Sequence, residues 1–288
     1  MRSGGRQRFV AADQVPPLVS VVTVVRNGVT TLAQTIESVL AQGDQIEYVV
    51  IDGGSVDGSV ELLERYSDRI DWWQSEADAG IAEAFNKGIA IVRGQWIGLI
   101  NADDRYEPGA LETVVRALAN SDADIVYGWV QYWRDGEPDF LAGGDHERLD
   151  SYMTIPHPAT FVRRALYERV GLFNTDLRYA MDYEFMLRAR AAGARFQGID
   201  SVLAHMTQGG LGDRYWRDSL AEVAQARRRY VAGAGGAWRW RVYYAARLLR
   251  IVGRRVADRL GLRGLRRLWN RWISPTPVID LRHKSERK

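Results

Sequence analysis

The 288-residue chain is predicted to fold as an α/β protein with a mostly parallel central sheet and helices on both faces. Three observations predict this. Short, β-branched apolar runs alternate with stretches of helical spacing through the first half of the chain. Three of those runs end in polar clusters, which a parallel sheet gathers on one edge. The 46% hydrophobic and 26% charged content is that of a globular protein with a sizeable core.

The elements follow in order. Residues 1–17 read as a flexible lead ending at Pro16-Pro17. Val19 to Val25 is β-branched almost throughout and predicts a first buried strand. Arg26-Asn27-Gly28 turns the chain into a helix over Thr30–Ala41, with Leu32, Ile36, Val39 and Leu40 on one face. Ile46 to Ile51 is a second strand, closed by Asp52-Gly53-Gly54-Ser55-Val56-Asp57-Gly58. A helix over Ser59–Tyr66, a strand over Ile70–Gln74, a helix over Ala79–Val92 and a strand over Trp96–Ile100 continue the alternation. Pro108 to Asn120 is the next helix, with proline in its first turn, and Asp124 to Gly128 the next strand. Residues 129–160 are irregular, with a hairpin expected at Asp135-Gly136. Helical spacing returns over Arg163–Val170 and Asp182–Ala192, and from Asp213 onward the chain reads as helix after helix.

Composition narrows the function. No run of about 18 apolar residues predicts a membrane-spanning helix, and the basic start lacks the apolar core of a signal peptide. Cysteine is absent, which excludes disulfides and thiolate metal sites, and the expected compartment is the cytoplasm. The formal charge of +3 conceals an asymmetry: Trp238 to Trp272 holds eleven arginines against the single acid Asp258, so the basic charge belongs to the tail.

The most informative stretch is Leu99-Ile100-Asn101-Ala102-Asp103-Asp104, where two carboxylates stand at the end of a central strand. Carboxylates in that place attract a hard divalent cation able to hold a diphosphate; the plain alternative is a helix N-cap. Arg26-Asn27-Gly28-Val29-Thr30-Thr31 does not match the glycine fingerprint of dinucleotide sites, and no phosphate-cradling P-loop is present.

Taken together, Val21 to Asn27, Val50 to Ser59, Ser75 to Ile81 with Phe85 to Ile89, and Leu99 to Asp104 resemble, in order and spacing, the family 2 glycosyltransferases of the GT-A fold. The resemblance covers about Leu18 to Gly210 and implies a GT-A catalytic domain over 18–212. Its halves are a nucleotide-binding one (18–104) and an acceptor one (105–212), followed by a basic helical extension over 213–288. It implies that Thr23 and Asp52 line the base pocket, Asp52 accepting from a ring N–H, while Ser55 and Asp57 shape the loop. Asp78, Asn86 and Lys87 would face the nucleotide or diphosphate, Lys87 being equally readable as a solvated helix lysine. Asp103 would ligate Mn²⁺ or Mg²⁺, with Asp104 on the ribose or metal; Asn101 stands where the family usually has Asp, which softens its D-x-D pattern to N-x-D. In the second half Asp182 matches the family's catalytic base, although Met181-Asp182 replaces the usual Glu-Asp pair and an aspartate there also caps a helix. Glu184 is the weaker acceptor-side candidate, about 200° around the helix from Asp182. His157, between two prolines, suits an acceptor-side positioning role, and His205 resembles the family's late metal or diphosphate ligand; a satisfied surface histidine is the alternative for both.

The resemblance therefore implies a hexosyl-type, metal-assisted, inverting transfer from a nucleotide-diphosphate sugar to a glycan or lipid-linked acceptor in bacterial surface polysaccharide assembly. A sugar-phosphate nucleotidyltransferase and a catalytically degenerate glycan- or lipid-binding protein are the rivals. For the tail, Val242, Ala245, Leu249, Val252 and Val256 share one helical face, with tryptophans bracketing the segment. That pattern suits an anionic membrane surface over 238–273 and a peripheral protein; packing on the catalytic body is the plain alternative. No nucleic-acid partner is expected, since no binding module accompanies the charge.

Overall fold

The computed structural model describes residues 1–6, 15–119, 121–134 and 136–231, eight helical positions between 242 and 256, and 278–280. The strands are β1 (Arg2–Gly4), β2 (Val19–Val25), β3 (Glu47–Asp52), β4 (Trp72–Ser75), β5 (Trp96–Asn101), β6 (Arg105–Tyr106), β7 (Ile125–Arg134), β8 (Glu137–Ala142), β9 (Thr160–Arg163), β10 (Phe196–Thr207) and β11 (Val278–Asp280). The helices are α1 (Val29–Leu40), α2 (Ser59–Arg65), α3 (Ile81–Ile91), α4 (Ala110–Leu118), α5 (Arg164–Val170), α6 (Met181–Ala191), α7 (Leu211–Arg214) and α8 (Trp216–Tyr230).

The sheet runs β1-β4-β3-β2-β5-β9-β7-β10-β6, with β8 on β7 and β11 on β8. Its parallel block is β4-β3-β2-β5, joined through antiparallel β9 to β7, which pairs in parallel with β10. Every residue of β2 and β3 is buried, as a strand covered on both faces requires. One apolar cluster packs Leu32, Ile36, Leu63, Leu111 and Val114 of α1, α2 and α4 against one face. The other packs Phe85, Leu166, Phe185 and Val223 of α3, α5, α6 and α8 against the opposite face. Helix α3 lies so close to β2 that a Cβ on Gly88 would come within 2.3 Å of Val22 Cγ1. Because β2 feeds β3 on one side and pairs with β5 on the other, the strand order reverses there, which opens a crevice at the carboxyl ends of β2 and β5.

Two sequence expectations are corrected. Arg2–Gly4 is not a free lead: it forms an antiparallel edge strand on β4, with Arg2 opposite Ser75. The catalytic body also does not stop at 212, because α8 buries Leu220, Val223 and Ala226 against the same cluster as α6. The expected hairpin is present, with Arg134 opposite Glu137 and Gly136 at φ +78°. Of the 238–273 segment only the eight helical positions are described, so most of the expectation for the tail lies outside the described residues.

Candidate active site

The crevice deepens into a cleft of about 1070 Å³ between the carboxyl edge of the parallel block and the starts of α6 and α8. Arg26, Asn27 and Gly28 after β2, Asp78 before α3, and Asn101 and Asp103 after β5 line one wall. His157, Tyr179, Asp182 and Tyr215 line the other.

Polar bonding within the donor wall organises its loops. Asn27 holds φ +53°; its backbone N–H donates to Ser55 Oγ (2.7 Å) and its Oδ1 accepts from the Val56 N–H (2.9 Å), which ties the β2 loop to the β3 loop. Asp57 accepts from Ser59 through Oδ1 and from the Val29 N–H at the start of α1 through Oδ2, the structural role expected of it. Asp52 Oδ2 accepts from the Gly54 and Ser55 N–H groups (3.0 and 2.9 Å) and from Ser75 Oγ (2.7 Å). Its Oδ1 is buried with no partner, and Asp52 itself is not among the residues that line the cleft. Asp78 lines the cleft, accepts from the Gly80 N–H, and has its carboxyl pushed up by burial.

Thr23, Asn86 and Lys87, like Asp52, are absent from the cleft lining. Thr23 is fully buried and bonded to Tyr48 Oη (3.0 Å), so it supports the pocket from below and does not line it. Asn86 donates through Nδ2 to Phe173 O and accepts through Oδ1 from Phe173 N (both 2.9 Å), clamping α3 to the loop before α6. Lys87 pairs with Glu76 (2.8 Å) and Glu83 (3.0 Å), the helix-lysine alternative.

Asp103 opens to solvent through the cleft while protein crowds its other side, and that partial burial raises its pKa. Asp104 behaves oppositely. It is buried behind the loop and takes no place in the cleft lining. Its carboxyl lies well above the usual range because of burial and then the Asp103 charge, against hydrogen bonds from Asn101 and the Thr207 backbone. Asn101 spends its Nδ2 on Asp104 Oδ2 (3.2 Å), which leaves its amide oxygen for the cleft. His205 is not a metal ligand in this arrangement. Its Nδ1 accepts from Trp133 Nε1 (2.8 Å), so Nε2 carries the proton and meets Glu107 Oε2. Among the described residues no group of three or more His, Cys, Asp or Glu side chains is placed to hold a metal. The donor set is therefore Asp103 and the Asn101 oxygen. It fits a hard cation that takes one protein carboxylate and completes its shell with substrate phosphates and water.

On the opposite wall Asp182, second residue of α6, accepts from the Tyr183 N–H (2.7 Å) and lines the cleft. Burial, with a smaller contribution from the Glu222 charge, pushes its carboxyl up to about 6. Glu222 on α8 was not singled out by sequence. Its Oε1 accepts from the Arg178 N–H (2.9 Å) and its Oε2 from those of Tyr179 (2.7 Å) and Ala180 (2.9 Å). One carboxylate thus satisfies three N–H groups of the segment leading into α6, whose N-cap residue Ala180 has no side-chain cap. In sequence Glu222 is one of two acids, with Asp218, in an arginine-containing helical stretch, indistinguishable locally from a solvated glutamate. Glu184 is structural: buried, it holds Arg188 through two contacts of 3.0 Å and accepts from Tyr230 Oη (2.8 Å). His157 lines the cleft beside the Phe85 ring, its buried Nε2 has no partner, and burial lowers its pKa to about 4, so it is neutral at pH 7.

The model of the Glycosyl transferase family 2 matches residues 20–189, more than half of the chain. The chain belongs to glycosyltransferase family 2. An uncharacterised glycosyltransferase of Mycobacterium tuberculosis (strain H37Rv) is 34% identical over 186 residues, 60% of this chain and 69% of that protein. A PGL/p-HBAD biosynthesis glycosyltransferase of Mycobacterium bovis (strain BCG) is 29% identical over 181 residues, again 60% and 69%. Among solved structures, a mannosyltransferase from Pyrobaculum calidifontis in complex with GDP-Man and Mn²⁺ superposes with a TM-score of 0.60 at 18% identity, covering 89% of this chain and 84% of that one. Staphylococcus aureus TarS 1–349 in complex with UDP-GlcNAc gives 0.57 at 15% identity, over 75% and 68%. The fold of this glycosyltransferase is GT-A, as its sequence motifs implied.

Proposed function

We propose that the protein moves a hexosyl group, with inversion, from a nucleoside-diphosphate sugar to a hydroxyl of a glycan or lipid-linked acceptor. One observation carries this reading: Asp182, with its carboxyl pushed up to about 6, shares one cleft with the strand-end residues Asn101 and Asp103. Near pH 7 such a carboxyl is mostly ionised yet basic enough to take a proton. The acceptor hydroxyl gives its proton to Asp182 as its oxygen bonds to the anomeric carbon. The carbon–oxygen bond to the diphosphate breaks from the opposite face, and the diphosphate leaves with the electron pair. Asp78 lies on the wall assigned to the donor.

Asp103 and the Asn101 amide oxygen would hold Mn²⁺ or Mg²⁺, whose charge offsets that of the diphosphate. The metal reading draws support from the Mn²⁺ in the mannosyltransferase complex, the donor reading from the UDP-GlcNAc and GDP-Man complexes. The test incubates the chain with a panel of nucleotide sugars, with Mn²⁺, with Mg²⁺ and with chelator, and measures free nucleoside diphosphate. Metal-stimulated release from one donor is expected. Donor binding without release under any condition would favour the degenerate binding protein that Asn101 permits.

We further propose a peripheral protein on the cytoplasmic face of the plasma membrane, serving bacterial surface glycan assembly. The tail supports it: among helical positions Val242 (51% exposed), Leu249 (68%), Val252 (48%) and Val256 (48%) present exposed apolar surface. Each of the eleven arginines there is worth about 1 kcal/mol near an anionic surface. Full-length protein should sediment with anionic but not neutral liposomes, and Leu249→Asp with Val252→Asp should weaken this about tenfold. Equal sedimentation of the double variant would end the membrane reading.

A further inference from the structure

The acceptor end of the cleft carries an aromatic surface that the chemistry described so far does not use. Tyr179, two residues before α6, and Tyr215, immediately before α8, stack with ring centroids 5.4 Å apart and planes at 26°. Both line the cleft, and neither hydroxyl has a partner among the described residues. Tyr215 is 45% exposed, so its ring is accessible to a ligand in the cleft. The pair is rigid as well as open. Glu222 binds the Tyr179 N–H directly, and Tyr215 leads into the helix that carries Glu222. The same carboxylate holds the Ala180 N–H at the start of α6, so the ring pair and Asp182 are fixed to one frame.

We propose that Tyr179 and Tyr215 form the acceptor subsite and that the acceptor group seated there is a pyranose ring. This rests on the glycosyl-transfer reading and narrows its acceptor to a sugar hydroxyl. A pyranose has an apolar C–H face edged by hydroxyls; a tyrosine pair has apolar faces edged by two free hydroxyls, with the Ser219 side chain on the same cleft wall. An alkyl chain would cover the rings and leave those hydroxyls unpaired. A sugar covers the rings, pairs the hydroxyls and brings one of its own O–H groups to the wall that carries Asp182.

The experiment is saturation-transfer NMR on the full chain with the methyl α- and β-pyranosides of glucose, galactose, mannose, rhamnose and N-acetylglucosamine, with n-octanol and 4-nitrophenol as comparators. Saturation is expected on the ring C–H protons of at least one glycoside and not on the comparators. Tyr215→Ala should remove it, and Tyr215→Phe, which keeps the face and loses the hydroxyl, should retain a weakened signal in a protein of unchanged circular dichroism. In turnover with that glycoside, Tyr215→Ala should raise the acceptor KM about tenfold and the donor KM less than twofold. No saturation of any glycoside by the wild type, equal saturation of the octanol, or an unaltered signal in Tyr215→Ala overturns the proposal. Glycoside binding with no nucleoside diphosphate released from any donor would instead overturn glycosyl transfer and leave the sugar platform standing.

Discussion

Asp103 stands on a loop whose two ends are both strands of the sheet, β5 and β6, whereas Asp182 stands on a helix start held from outside by a glutamate of α8. On the donor wall, position follows from backbone continuity: when β5 pairs with β2, Asn101 sits opposite Val24, and the next residues emerge at the cleft. On the acceptor wall, the entry to α6 has no side-chain cap of its own, and three of its N–H groups depend on Glu222. Asp103 is therefore placed by local chain continuity, whereas Asp182 is positioned from a distance. The first should tolerate changes elsewhere in the fold; the second should be sensitive to α8.

The largest expected effect separates the two carboxylates. Asp103→Ala should abolish metal-stimulated release of nucleoside diphosphate with the fold intact. Asp182→Asn should keep donor affinity and lower transfer by about 10²-fold or more, the loss expected for a positioned base. Titration calorimetry with the working donor, run beside the release assay, reads both. Asp182→Asn losing donor binding, or Asp103→Ala retaining wild-type metal stimulation, would break the division between the walls.

A smaller effect sharpens it. Glu222→Gln keeps size and one acceptor oxygen but removes the charge from the start of α6, and kcat should fall about tenfold as Asp182 loses its fixed position. The pH profile separates this from general loosening. Asp182 must be ionised to act, so activity rises with pH through about 6. The Glu222 charge contributes to that raised value, so its removal should move the acid limb to lower pH. An unmoved limb with a tenfold lower rate would make Glu222 a helix cap with no influence on the base.

Legibility in the sequence follows the same line. Asp103 and Asn101 could be picked out because a strand end is a local pattern, and Asp182 because its stretch resembles the family's acidic motif. Asn86, Lys87 and Glu184 look equally functional in one dimension, but their partners are Phe173, Glu76 with Glu83, and Arg188 with Tyr230. His205 falls likewise to Trp133 and Glu107. A polar side chain becomes structural when the fold brings it a partner, and the partner can be far along the chain. Glu222 is the reverse case, unremarked among arginines until α8 packs on α6.

By itself the sequence determined the α/β alternation and the edge on which the strand ends gather, because periodicity and strand ends are short-range properties of the backbone. Tertiary structure alone decided which polar groups remain free. Burial and hydrogen-bond pairing absorbed Thr23, Asn86, Lys87, Glu184, Asp104 and His205, carried Arg2–Gly4 onto the sheet edge and joined α8 to the catalytic body. The physical reason is that an unpaired buried polar group costs about 1–3 kcal/mol. Pairing therefore fixes most of the polar groups described above, while His157 Nε2 stays unpartnered in a residue that lines the cleft.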